Sequence, residues 1–303
     1  MTKKHLPPPA DPFASRPAVP NWLRNAAGRD PQFAAGATLA WIDPLVRDDQ
    51  LIGKLWRKRL AMQATLAVVA LDGRREAEAE LRDHWILRGR DDDPGPAGRL
   101  LGAFRFLGEP RAARASEWPA RLPNLFDLAA TPDLDAALAE AGRHLGTTSP
   151  VEAAAKAARA ALRLGLRHRG LALWLGDAAL ARALGWDRPL PLLASHLPRG
   201  ALRLDGPEWQ DACAIAFTKG ALAANDLHAD LSRRAMRLRE VAPKLRGKDA
   251  KAVIETLQSE DAMAATAGAN ASDRAARRIF DRLTEFGVVR ELTGRASFRL
   301  YGL

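Results

Sequence analysis

SDRAARRIFDRLTEFGVVRELTGRASFRLYGL, residues 272–303, decides how the end of this chain folds. Ser272 can cap a helix, and Asp273 suits the positive end of its dipole. A helix is therefore expected over 273–286, closed by Gly287, which tolerates the left-handed conformation of a helix terminus. At ~100° per residue with Arg274 at zero, Arg278 falls near 40°, Arg282 near 80° and Arg277 near −60°. Ala275, Ile279, Leu283, Phe286 and Phe280 span roughly 100° to 240°. One face is apolar and the other carries four arginines, which can bridge guanine in a major groove or fork onto phosphate. Asp281 and Glu285 share the basic face and can hold Arg277, Arg278 or Arg282 in surface ion pairs. The N-terminal half, Ser272, Arg274, Arg277 and Arg278, is therefore favoured for reaching base edges.

Beyond Gly287, residues 288–292 read as a strand, 293–296 as a turn and 297–301 as a returning strand. Arg290, Arg295 and Arg299 are then placed to meet phosphate or a minor groove. Upstream, Asp249 can cap a helix to about 259 with Val253, Ile254 and Leu257 inward, and the alanine-rich 261–268 reads as a second helix before a turn at 269–271. Three helices and a β-hairpin over 247–303 describe a winged helix-turn-helix. Its expected DNA-binding set is Ser272, Arg274, Arg277, Arg278, Arg282, Arg290, Arg295 and Arg299. The same order of elements also serves for dimerisation or packing, with the arginines an ordinary solvated face.

The remainder reads as an all-α, multi-helix chain: a proline-rich arm over 1–30, a helical body over 31–205, and a long helix with linker over 206–246. Helices are expected over 32–47, interrupted near Pro44, and over 49–71, 74–87, 97–109, 134–145, 150–164 with Ser149 as cap, 170–184 and 208–241. Residues 88–96 and 122–132 read as loop and linker, 190–197 as a short helix, and no strand alternation precedes residue 288. The 303 residues are 47% hydrophobic but only 6% aromatic, which favours helices. Pro7, Pro8, Pro9, Pro12, Pro17 and Pro20 leave no apolar run for a signal peptide, and no segment is long enough to span a bilayer. A single cysteine, Cys213, excludes an intrachain disulfide and fits a reducing compartment, so a cytoplasmic location is expected. The net charge of +10 favours an anionic partner; residues 233–303 hold 15 Lys and Arg against 9 Asp and Glu.

Ser272-Asp273-Arg274-Ala275-Ala276-Arg277-Arg278, Val289-Arg290-Glu291-Leu292-Thr293-Gly294-Arg295 and Phe298-Arg299-Leu300-Tyr301-Gly302-Leu303 resemble a bacterial domain-of-unknown-function family, number 1403. The likeness extends through Asp91-Asp92-Asp93-Pro94-Gly95-Pro96-Ala97-Gly98-Arg99 and Leu184-Gly185-Trp186-Asp187-Arg188-Pro189-Leu190-Pro191-Leu192-Leu193. It covers most of the chain and implies no known activity. The tail is also similar to winged helices that end some Fic-type proteins, whose cores transfer nucleotides. Their signature, His-x-Phe, an acidic residue and Gly-Asn-Gly-Arg, begins at none of His5, His84, His144, His168, His196 or His228. The likeness therefore implies a helical body without that chemistry.

Other constellations carry less. Asp83, His84 and Asp91-Asp92-Asp93 can be read as a carboxylate-rich site or, more simply, as a hydrated turn before a helix. Asp226, His228 and Asp230 do not share one helix face, and Cys213 sits in an apolar run as a small core residue. No catalytic triad, zinc motif or nucleotide loop is present, so neither catalysis nor a cofactor is expected. The reading is a DNA-binding regulator or plasmid-associated factor, with double-stranded DNA as partner and 208–241 suited to pairing with a second copy. The alternative is a helical scaffold with a degenerate Fic-like body.

Overall fold

The computed structural model describes residues 18–48, 51–89, 91–143, 148–245, 250–265, 273–293 and 299–303, with side chains from 277 onward in the penultimate stretch. Twelve α-helices and one small sheet occur among the described residues. The first six helices are α1 (Asn21–Arg24), α2 (Pro31–Val46), α3 (Leu51–Leu71), α4 (Glu78–Leu87), α5 (Gly95–Leu107) and α6 (Trp118–Leu125). They are followed by α7 (Pro132–Arg143), α8 (Pro150–Leu162), α9 (Arg169–Leu184), α10 (Gly206–Val241) and α11 (Ala250–Ser259). The chain ends with β1 (Met263–Ala264), α12 (Asp273–Glu285), β2 (Arg290–Glu291) and β3 (Leu300–Gly302). No helix among the described residues is long and apolar enough to cross a membrane.

Alanine and glycine set the closeness of the core. Along α8, Ala153, Ala154, Ala155, Ala157, Ala158 and Ala161 are fully buried, and α9 lies against this smooth face. At Gly176 of α9 a Cβ would stand 2.8 Å from Leu193 Cδ2 and 3.4 Å from Ala158 Cβ; at Gly220 of α10 it would stand 2.4 Å from the Leu192 carbonyl oxygen. These backbones approach where side chains are missing. Tryptophans fasten the layers. The indoles of Trp56, Trp174 and Trp209 donate to the carbonyls of Ala224, Ala103 and Ala155 at 2.8, 2.9 and 2.8 Å. Each buries a large ring and satisfies its one polar atom.

Several local expectations need correction. Helix α2 runs through Pro44, which costs a ladder hydrogen bond; buried Ile42, Leu45 and Val46 hold it, and it ends within one turn. The expected linker at 122–132 begins inside α6, because Trp118 and Leu122 are buried and Trp118 also donates its indole N–H to Ala112 at 2.8 Å. Residues 190–197 do not form a helix. The Asp177 carboxylate instead accepts the amides of Leu192 and Leu193 at 3.1 and 3.0 Å, an alternative to helical pairing.

The largest correction lies at 261–268. Its described part is not helical: Met263 and Ala264 form β1 and pair antiparallel with Tyr301 and Leu300. The sheet order is β1-β3-β2, so the expected two-stranded hairpin gains a third strand and a strand precedes residue 288. A strand this short has no alternation to read, and its partner lies almost forty residues away. The expected cap Asp249, the turn at 269–271, Ser272, Arg295 and most of the proline-rich arm lie outside the described residues.

Candidate functional site

The basic face and its supporting core are built from α12 and the sheet. Ile279, Phe280 and Leu283 are 7%, 1% and 0% exposed, whereas Arg277, Arg278 and Arg282 are exposed. Phe280 stacks on Tyr301 of β3, ring centroids 4.7 Å apart, so the central strand holds the inner face of the helix. The helix closes at Gly287, with φ +65°; Gly287 donates to the Thr284 carbonyl at 2.9 Å and Val288 to the Leu283 carbonyl at 3.2 Å. This left-handed cap turns the chain so that Val288 and Val289 enter the core and Arg290 emerges.

Of the eight expected site residues, Arg277, Arg278 and Arg282 share the exposed face of α12, and Arg290 and Arg299 are exposed on or beside the sheet. Arg274 belongs to the same helix, but its side chain is outside the described set, as are Ser272 and Arg295 altogether. Among the described residues, neither Asp281 nor Glu285 pairs with Arg277, Arg278 or Arg282. Arg299 is partly engaged, 3.4 Å from Glu291. Arg282 and Lys244 both approach the Phe286 ring, each 5.7 Å from its centroid. Sequence reading missed Lys244 because only the tertiary fold brings the end of α10 to the end of α12.

A second missed feature docks this segment on the body. Asp261, 2% exposed, lies 2.7 Å from Arg59 of α3 and 2.7 Å from Arg82 of α4. Arg59 also donates to the backbone carbonyls of Asp261 and Leu303 at 2.9 and 3.2 Å. Burial pulls the Arg59 guanidinium below its ordinary range against the attraction of Asp261. At Arg82 burial acts the same way, but Asp261 and Glu78 outweigh it and the net shift is upward. Glu260 extends the contact, pairing with Lys58 and standing 3.5 Å from Arg105.

The remaining constellations have structural work. Asp93 accepts from the Gly95 amide at 3.0 Å and pairs with Arg99 at 2.7 Å, while Asp92 accepts from Gly89 at 2.7 Å. These acids shape the entry to α5. Asp226 grips Arg24 at 2.9 Å, Asp230 pairs with Arg233 and Arg234, and His228 lies edge-on to Trp56, so the three do not converge. Cys213 is fully buried, and burial pushes its thiol far up. No group of three His, Cys, Asp or Glu able to hold a metal occurs among the described residues.

Comparison with known proteins gives a match to the family model described as "Protein of unknown function (DUF1403)", over residues 10–303. No curated protein matches the chain.

Proposed function

We propose that this chain, which belongs to the DUF1403 family, binds double-stranded DNA through residues 247–303, used as a winged helix-turn-helix, and acts as a regulator or plasmid-associated factor in a bacterial cytoplasm. The observation that carries this reading is the division of α12: Arg277, Arg278 and Arg282 face solvent without acidic partners among the described residues, while Ile279, Phe280 and Leu283 are buried. Guanidinium groups in that state remain available for base edges and phosphates. Arg290 and Arg299 extend the basic surface to the sheet, and Lys244 adds a cation beside Arg282. A homodimer, paired through α10, would present two such faces to two half-sites.

Selection of duplexes by the full chain from a random pool, followed by titration of the selected duplex at several salt concentrations, tests the reading. With about six phosphate contacts, the logarithm of affinity should fall against the logarithm of salt with a slope near −5. No enrichment, together with salt-independent retention of duplex, would refute it. The docking of Asp261 between Arg59 and Arg82 favours a second reading, in which the C-terminal segment only completes a helical scaffold. In that case Arg277→Ala and Arg278→Ala leave the chain's partners bound as before, while substitutions in the body abolish binding.

A further inference from the structure

We infer that the helical body carries a binding site for a small organic acid, in a cavity of about 350 Å³ where the end of α3, the start of α5, the exit of α6 and the start of α9 meet. This inference is independent of DNA binding. One part of the lining is apolar, from Val68, Leu100, Phe126 and Leu128; another is basic, from Arg74, Arg99, Arg167 and Arg169. Two carboxylates of the lining, Asp72 and Asp127, together with Asp93 just outside it, oppose the four guanidinium groups, which leaves a surplus of one positive charge.

The pairing is uneven. Asp72 lies 3.1 Å from Arg169 and 3.6 Å from Arg74, and Arg99 lies 2.7 Å from Asp93 and 3.4 Å from Asp127. Arg167 is exposed and has no ion pair among the described residues. Beside it His168, 6% exposed, lines the same cavity. Asp127 holds φ +52°, the one positive φ outside glycine among the described residues. A carboxyl-bearing side chain in that region carries modest strain, and here it stands between Phe126 and Leu128 on the cavity wall. Helices of 13 and 16 residues, α5 and α9, also begin at the cavity, turning the positive ends of their dipoles toward it.

The volume lies at the lower end of the range for small-molecule pockets. A free inorganic anion would leave the apolar wall wet, and a neutral apolar molecule would leave Arg167 unanswered. A monocarboxylate with an aromatic ring or a short alkyl chain satisfies both parts. The full chain at pH 7 should be titrated calorimetrically with benzoate, phenylacetate and octanoate, and with benzamide as the uncharged counterpart of benzoate. At least one acid should saturate a single site below about 1 mM, benzamide should bind at least about tenfold more weakly than benzoate, and Arg74→Glu/Arg167→Glu should weaken the acid by at least about tenfold, or ~1.4 kcal/mol. Both arginines are exposed, so the variant should keep its fold, checked by circular dichroism; Arg167→Ala supplies a milder version. Arg143→Glu, exposed and outside the cavity lining, should bind the acid unchanged. Failure of all three acids to saturate by about 10 mM, equal binding of benzamide and benzoate, or indifference to both arginine variants would overturn the inference.

Discussion

Arg278 and Asp177 stand for two opposite uses of charge. Arg278 keeps its guanidinium in water, where leaving it for a ligand costs little. Removing it should weaken duplex binding by about 1–3 kcal/mol if it meets a base and less if it meets only phosphate, as fluorescence anisotropy with Arg278→Ala would show. Arg299→Ala should cost less, since Glu291 already competes for that group. Asp177 is 1% exposed and its carboxyl is held well above its usual range, mainly by burial, against the pull of the Leu192 and Leu193 amides. A raised carboxyl pKa favours the fold below the unfolded value near 4 and loses that contribution as pH rises. Asp177→Asn keeps an acceptor for both amides and removes the titration. Its denaturation midpoint should rise at pH 7, and the advantage should vanish near pH 4. His168 and His196 act with the other sign: burial lowers both, so they favour the fold above about pH 6.5 and cost stability as pH falls through their folded values.

Among elements, legibility follows the range of the interaction that decides each one. Helices α3, α8, α9 and α10 are long, periodic or locally capped, and their ends lie within about two residues of the expected 49–71, 150–164, 170–184 and 208–241. The two-faced character of α12 was legible for the same reason: thirteen residues give enough turns for a stripe to repeat. What sequence could not reveal depends on partners far along the chain. Pro44 and Pro123 signal interruption locally, but buried neighbours override them. Residues 190–193 take their course from one carboxylate on α9, and β1 exists only because β3 comes beside it. The basic residues of the candidate site were legible by composition and angle, whereas Lys244 and the docking acids were not, since nothing in their own neighbourhood marks them. Close approach offers a test at this scale. Gly220→Val would drive side-chain atoms into the Leu192 carbonyl and should lower stability by about 1–3 kcal/mol, read from a urea midpoint, by forcing α10 away from 190–193.

At the scale of the molecule, a buried ion triad joins the C-terminal segment to the body. Removing one member leaves the others buried and uncompensated, so Asp261→Ala should cost about 3–5 kcal/mol in thermal or denaturant unfolding. Arg277→Ala, on the exposed face, should leave the same midpoint within about 0.5 kcal/mol. If the charge triad were dispensable, the two substitutions would unfold alike. Its placement has a mechanical corollary. A segment tethered by a loose strap could swivel to greet an irregular surface, but one clamped at Asp261 turns only when the whole particle turns, like a key cut in one piece with its bow. Were duplex its partner, as proposed, any bending needed for a good fit would come from the lock.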